Sequence, residues 1–580
     1  MKALSVFLII LLILVICCAA LFVLWFFKMK NSGKCPLCML KKLKFKKQIT
    51  LDISQYENYN NGVAKTPPMG WSSWNTFRNN IDQDIIMETA GAMVESGLKD
   101  AGYQYVNLDD CWQSSMRDSD GKLQGDLRTF GRGIDSLIHD INSLGLKVGL
   151  YSSNGDLTCE DMPASLGNEE LDAKTFASWG CEFFKYDFCH SNPISGDCPV
   201  IEKIEINKTD GNYDDYVTLN AEDAKLFGRA KIIKMNEFKS KKGVAYLNHG
   251  AGSATFVTPV LTAGKYALTF VHQKTYRKKY SYAQVTVNGK MYEIFFPYGK
   301  GFSNSGRTQI VVDMRAGENE IKIENPVVTL ADSSFIQYQR MGNALKTATK
   351  QWAQFTNTAE KPIVFSICEW GVSKPWQWGA KAGNMWRTTH DIEATWHSIM
   401  ELYNLTVDKY EYSAPGAWND PDMLEVGNGK LTEDENKAHF SLWCMMASPL
   451  MLGNDIRKFV VNKDDPALKI VTNKNLIAID QDVLGKAAKR IIKNSKYDVL
   501  ARPLSNGDVA VCVLNKSAKD LNVNVKFNDL LSDGYLSFKT YGNMNIVDLW
   551  ENESFSADSV SLNLAPHSVK VYRIESLKTV

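Results

Sequence analysis

Eight ionisable side chains stand at or just beyond the ends of apolar stretches: Asp109, Asp110, Lys185, Asp187, Glu369, Arg387, Asp391 and Asp422. Trp71, Tyr151, Trp370 and Trp418 lie among them. Glycoside cleavage needs two carboxyls across the scissile bond, one ionised and attacking, one protonated and donating, with hydrogen-bonding groups for many hydroxyls. Lys185 is two residues from Asp187, so on a strand both point the same way, and the ammonium would keep that carboxylate ionised and hold sugar oxygens. Arg387 would orient the acid and a ring hydroxyl. The pair Asp109-Asp110 suits vicinal hydroxyls, since a carboxylate accepts two donors, although a cap or a turn explains many such pairs. Other chemistries fit less well. Of the eight histidines only His390 sits among these acids, and it neighbours Asp391 instead of pairing at metal-ligand spacing. A nucleophile elbow and a Gly-rich loop before a helix are both missing. Neither a metal nor a cofactor is expected in the chemistry.

The elements that must carry these residues follow from periodicity. From 66 to 198 strand and helix patterns alternate: an apolar entry at 69–74, a helix over 81–102, a strand at 103–108, a helix over 134–144, a strand at 147–151, a helix at 173–179 and the strand 183–189. On the first helix Ile85, Ile86, Ala90, Met93 and Leu98 fall near one face. The pattern breaks over 199–333, where runs such as 266–271, 283–289, 309–313 and 320–323 alternate at period two, with an Asn288-Gly289 turn, and call for an inserted antiparallel β-sandwich. It resumes over 334–486 with a helix at 334–355 and strands at 363–370, 385–387, 418–423 and 445–450. Eight strands with repeated polar ends favour an α/β fold of the (β/α)8 TIM-barrel kind over a doubly wound sheet. Residues 487–580 read as a C-terminal antiparallel β-sandwich domain, with strands near 498–501, 509–514 and 569–572.

At 580 residues the chain suits three or four domains, and a net charge of +1 argues against nucleic acid as a partner. The 14 Trp suit stacking on flat sugar faces, as well as a large core. Twelve cysteines are too few for a disulfide scaffold, and Cys35-Pro-Leu-Cys38 is a lone CxxC with no second pair. Residues 3–27 carry no charge and are long enough for a helix to cross a membrane, so a single-pass anchor is expected, with a cleaved signal peptide as the competitor. A basic then polar tether would follow over 28–65. The eight lysines between 28 and 47 argue for a cytoplasmic following side, whereas a polymer-degrading role argues for an extracellular one, and the conflict stands. Four Asn-x-Ser/Thr sites, at Asn207, Asn404, Asn515 and Asn552, matter only in a glycosylating compartment. The number of subunits is not legible.

Six strings, in this order, resemble the α-galactosidases of glycoside hydrolase family 27: 66–77 (TPPMGWSSWNTF), 108–112 (LDDCW), 185–187 (KYD), 368–371 (CEWG), 386–392 (WRTTHDI) and 418–423 (WNDPDM). The resemblance implies a retaining α-galactosidase with Asp187 as nucleophile and Asp391 as general acid and base, separated by roughly 5–5.5 Å. It places Trp71, Asp109, Asp110, Tyr151, Lys185, Glu369, Arg387 and Asp422 around a galactose, and it implies a Cys159–Cys189 disulfide. Asp109 leaves room for the C6 hydroxymethyl and Glu369 leaves little for an N-acetyl group, which favours α-D-galactose over the β-L-arabinopyranoside and α-N-acetylgalactosaminide substrates of relatives. A non-catalytic galactose-binding surface protein is the rival from another class. Animal members pair the cysteine equivalent to Cys111 with one after the first strand; no cysteine lies between 66 and 107 here, so Cys111 and Cys368 are expected to be buried thiols. The insert, on the loop leaving Asp187, resembles the β-sandwich carbohydrate-binding modules of families 6 and 35. Such modules often hold a structural calcium, for which Glu222 is the expected ligand, and Tyr276, Tyr280 and Tyr282 would stack on sugar or join the core. The implied substrates are α-galactoside oligosaccharides, galactomannans or glycoconjugates.

Overall fold

The computed structural model describes residues 51–211, 216–274, 280–299, 305–536, 538 and 544–576. Eight strands carry the catalytic unit: β1 (Met69–Ser72), β2 (Tyr105–Asn107), β3 (Lys147–Ser153), β4 (Phe183–Asp187), β5 (Val364–Ile367), β6 (Met385–Arg387), β7 (Trp418–Asp420) and β8 (Leu450–Leu452). They run in the order β8-β1-β2-β3-β4-β5-β6-β7, each paired parallel to its neighbour. A parallel bridge closes the circle: Leu424 N donates to Met451 O at 2.7 Å and Gly453 N to Leu424 O at 2.9 Å. The longer helices are α1 (Gln83–Glu95), α2 (Ile134–Ser143), α3 (Glu169–Trp179), α4 (Leu330–Thr356), α5 (Trp396–Thr406) and α6 (Glu433–Met445). Local chemistry sets their starts: Asp82 caps α1 by accepting from Ile85 N, and Thr329 with Asp332 forms a capping box on α4.

Strand alternation decides what enters the barrel. On β4, Phe183 and Lys185 line the interior, while Phe184 meets Phe176 of α3 at 4.9 Å with the rings tilted by 38° and Tyr186 meets Tyr338 of α4 at 5.4 Å. Phe183 joins Tyr105, Val364, Met385, Trp418 and Met451 in one buried cluster that fills the lower barrel. A Cβ at Gly149 on β3 would lie 2.0 Å from Asn107 Oδ1 and 2.9 Å from Phe183 Cβ, so the interior is closed to any larger residue there.

Three expectations are corrected. The last strand begins at Leu450, and Met445 ends α6 instead of opening a strand. That helix is buried from Ala438 to Met445 without a polar stripe, and an apolar run of this kind carries no period to separate helix from strand. Residues 52–65 are packed, not tethering: Tyr59 is 7% exposed with its N–H on Ala380 O at 2.8 Å, Asn61 Nδ2 donates to Ile363 O at 2.7 Å, and Trp418 Nε1 donates to Ala64 O at 2.8 Å. The expected membrane-spanning helix, with the single-pass location it implied, is not retained. Among the described residues no helix is long and apolar enough to cross a membrane, and residues 3–27 lie outside them.

Residues 489–574 pack a six-stranded antiparallel sheet and a two-stranded ribbon (Leu521–Lys526 with Ser559–Leu564) around Val511, Val513, Val523, Phe527, Ile546 and Tyr572. The Asn515 amide is fully buried and donates to Lys519 O, Leu564 O and Ala565 O, so that glycosylation string is closed in the folded chain.

Residues 195–328 form a separate compact unit. Two antiparallel sheets, one running from Lys290–Phe296 to Lys225–Gly228 and the other from Ser305–Met314 to Lys231–Lys234, enclose Ile204, Ile206, Phe256, Leu268, Phe270, Val285 and Ile323. Glu222 is ion-paired with Lys242 at 2.6 Å. Tyr282 is fully buried with its hydroxyl on Glu293, Tyr280 is exposed, and Tyr276 lies outside the described residues.

Candidate active site

At the carboxyl end of the barrel one cavity, open to solvent, is lined by Asp109, Asp110, Tyr151, Cys159, Lys185, Asp187, Arg387, Asp391 and Asp422, and by Trp74, Asn75, Trp370 and Met423. Strand ends deliver the charges because the hydrogen-bonded ladder stops there and the chain can turn polar groups inward without breaking sheet pairing.

Asp187 ends β4 with one donor on each carboxylate oxygen: Phe188 N reaches Oδ1 at 2.8 Å and the Tyr151 hydroxyl reaches Oδ2 at 3.1 Å. Burial pushes this carboxyl above its ordinary value, against the Lys185 ammonium and the Phe188 N–H, which favour the anion. Lys185 Nζ is paired with Asp109 Oδ2 at 2.8 Å. Asp109 also accepts from Ser72 Oγ at 3.3 Å, and Asp110 accepts from Cys111 N at 2.8 Å and Glu160 N at 2.9 Å. Burial raises Asp110 to about 6, against those N–H donors.

Across the cavity, Arg387 Nη2 lies 3.0 Å from Asp391 Oδ1 and 3.0 Å from Asp422 Oδ2. Arg387 is buried, whereas the Asp391 side chain is 73% exposed. Enclosure in the cleft pushes Asp391 up, but Arg387, with Lys185 behind it, outweighs that and holds it below the usual carboxylate range. Asp422 also accepts from Ile392 N at 2.8 Å, which ties the Asp391 loop to the end of β7.

The disulfide Cys159–Cys189, Cα atoms 5.1 Å apart, joins the loop after β3 to the loop after β4 and puts Cys159 Sγ 3.7 Å from Asp187 Oδ2. Among the described residues this Cys159, Asp187, Cys189 cluster is the one grouping with metal-ligand spacing, and its two sulfurs are spent in the disulfide. Of the two cysteines expected as buried thiols, Cys368 is buried and Cys111 is half-buried.

Two residues expected around the sugar do not line this cavity. Trp71 is fully buried, with its Nε1 on Asn454 O at 2.8 Å, and the wall position belongs to Trp74, one helical turn on. The Glu369 carboxylate is also fully buried and accepts from Ser373 N at 2.8 and 3.0 Å, while Trp370 takes the wall and meets Phe188 edge to face at 5.9 Å. Trp74, Asn75 and Met423 were missed; the available signal was position, since Trp74 and Asn75 open the helical turn one residue after β1 and Met423 directly follows Asp422. Backbone strain marks the same rim: Cys111 (φ 73°), Trp370 (φ 57°) and Asp422 (φ 83°) hold left-handed conformations without being glycine.

Burial raises the Glu369 carboxyl from 4.5 to about 7, against the N–H donors of Ser373 and Val372. A folded-state value above the unfolded one gives a stabilising contribution that is complete below the unfolded pKa and lost as the pH rises through the folded one. Wild type is therefore expected to lose up to about 3 kcal/mol relative to Glu369→Gln between pH 4.5 and 8, at about 1.4 kcal/mol per pKa unit. Urea midpoints at the two pH values test this, and parallel behaviour of the two proteins would refute it.

A parallel barrel whose rim gathers several carboxyls, a lysine and an arginine around one cavity has the architecture and the chemical groups of a glycoside hydrolase. The alpha galactosidase A family of melibiases matches residues 66–209 and 332–482, and the alpha galactosidase C-terminal beta sandwich domain matches residues 494–574. The chain is 31% identical to the alpha-galactosidase of Cyamopsis tetragonoloba, covering 90% of each, and 31% identical to alpha-galactosidase 2 of Arabidopsis thaliana, covering 90% of this chain and 92% of the relative. Its fold superposes on the crystal structure of alpha-galactosidase I from Mortierella vinacea with a TM-score of 0.60 at 26% identity, over 89% of this chain and 98% of that one. The chain belongs to the alpha-galactosidase family of glycoside hydrolases.

Proposed function

We propose that the chain releases terminal non-reducing α-D-galactosyl residues by a retaining double displacement, with Asp187 as nucleophile and Asp391 as general acid and base. The observation that carries the reading is that the two carboxyls line one cavity, Asp187 from the end of β4 with a donor on each oxygen and Asp391 from the loop after β6, governed by Arg387. Asp109, Asp110 and Lys185 form a polar floor for sugar hydroxyls, and Trp74 and Trp370 supply flat apolar walls for the ring.

In the first step an Asp187 carboxylate oxygen bonds to the anomeric carbon while the bond to the leaving oxygen breaks and Asp391 gives that oxygen its proton. In the second, Asp391 takes a proton from water, the water oxygen bonds to the anomeric carbon, and Asp187 departs. Asp391 must thus carry a proton in one half-reaction and lack it in the other. Arg387 suits both: its Nη2 is shared between Asp391 and Asp422, so turning Asp391 toward the glycosidic oxygen leaves the guanidinium with Asp422 and frees the acid to hold a proton. After proton transfer, the new carboxylate regains the guanidinium.

The substrates fitting this reading are α-galactoside oligosaccharides, galactomannans and galactosylated glycoconjugates. Galactose release from raffinose-type sugars and galactomannan, followed by NMR, is expected to show the α-anomer first. The β-anomer first would overturn retention. Faster turnover of the 4-nitrophenyl α-N-acetylgalactosaminide or β-L-arabinopyranoside than of the α-galactoside would overturn the sugar preference.

A further inference from the structure

Trp74–Phe77 form one helical turn directly after β1, and Arg78 ends it with φ 53° and ψ −126°, a combination that glycine alone enters freely. The turn is fixed on both sides, Arg78 N donating to Trp74 O at 2.9 Å and Asn80 N to Phe77 O at 2.9 Å. The result is an exposed guanidinium whose carbon lies 5.4 Å from the ring centroid of Trp74, a cavity-wall residue. Lys185 and Arg387 spend their charges on Asp109, Asp391 and Asp422. The Arg78 guanidinium, by contrast, has no hydrogen bond or ion pair with the described residues, and its N–H donors face solvent beside the cavity.

Which side of the cavity this is follows from its neighbours. Arg78 sits over Trp74, which lines the same cavity as Asp391, and its charge adds to those of Arg387 and Lys185 in favouring the Asp391 anion. Asp391 is the exposed carboxyl of the pair, and in the proposed reaction it protonates the leaving oxygen, so Arg78, exposed beyond the Trp74 wall that borders the galactose, is on the side where the leaving group departs.

We propose that Arg78, laid on Trp74, forms a leaving-group subsite that accepts an aglycone carrying an oxyanion: a carboxylate, sulfate or phosphate. The subsite rests on the glycosidase reading given above. A guanidinium held over an indole as a cation–π pair keeps N–H donors free, and its fork of donors matches a planar or tetrahedral oxyanion through two parallel hydrogen bonds. The surrounding rim is otherwise rich in acid, with Asp109, Asp110, Asp187, Asp391 and Asp422 on the wall, so without Arg78 an anionic aglycone meets repulsion. A non-glycine residue is kept in a strained conformation at the position that aims this charge, and strain of this kind persists where a side chain has a task.

The test compares two aryl α-galactosides of matched shape, 4-carboxyphenyl and 4-carbamoylphenyl, on the full chain at low salt. Wild type is expected to favour the carboxylate in kcat/KM by fivefold or more. Arg78→Met is expected to cut that ratio at least tenfold, and Arg78→Lys to restore part of it. Arg78→Gly is expected to lose the ratio as Met does while raising the thermal midpoint, because the strain is relieved; this separates lost selectivity from lost fold. A ratio unchanged within twofold in Arg78→Met, or a wild type that prefers the carboxamide, overturns the subsite. So does an equal fall on both substrates with a shifted pH profile, which would make Arg78 a modulator of Asp391 alone. Failure of wild type to hydrolyse either galactoside overturns the glycosidase reading itself.

Discussion

Asp187→Asn is expected to turn over α-galactosides at less than about one part in a thousand of the wild-type rate, given what an activated nucleophile contributes. The amide keeps the shape: its one oxygen can still accept from Phe188 N while its NH2 donates to the Tyr151 hydroxyl oxygen, but it cannot form the ester to the anomeric carbon. The fold should survive, because Lys185 retains Asp109 at 2.8 Å and no cation is left buried without a partner. The thermal midpoint should hold or rise, since burial disfavours the Asp187 charge. Turnover with a purified aryl galactoside, alongside circular dichroism melting, decides it: residual activity above that level in a folded variant would remove Asp187 from the nucleophile's role.

Asp391→Ala should separate the two half-reactions. The side chain is 73% exposed, so the fold should not respond. For substrates with a poor leaving group, such as raffinose-type sugars, loss of the acid is expected to cost about 10²–10⁴-fold in kcat/KM, the usual contribution of a positioned general acid. A dinitrophenyl galactoside needs no proton, so its first step should persist and the galactosyl-enzyme should accumulate as a burst. Azide should then rescue turnover by attacking that intermediate from the face left open, giving α-galactosyl azide. Formation of the β-azide would instead mean that the residue removed was the nucleophile, and a loss independent of leaving group would show that Asp391 is not the acid.

The two variants probe groups whose proton affinities are set by different neighbours. Burial governs Asp187, while an arginine shared with Asp422 governs Asp391. Substitution of Asp422 should therefore alter the pH profile through Arg387 even though Asp391 is untouched.

The identities and spacing of residues determined which chemistry the chain can do. Lys185 and Asp187 share a strand face because side chains alternate at period two, and carboxylates recur at the ends of apolar runs because a barrel tolerates charge only where its ladder ends. The (β/α)8 pattern, the antiparallel insert and the terminal β-sandwich were legible for the same reason: hydrophobic period records local geometry. What sequence could not decide was which of two near neighbours faces the cavity. Trp71 and Trp74 are three residues apart, and only the exit of β1 into a helical turn buries the first and presents the second. Glu369 and Trp370 differ by one position, and the left-handed backbone at Trp370, with Ser373 N waiting for the carboxylate, turns the acid away and the ring inward. The packing of 52–65, the start of β8 at Leu450 and the sharing of Arg387 between Asp391 and Asp422 also rest on contacts between residues distant in the chain. No local period records such contacts, and tertiary packing alone fixes them.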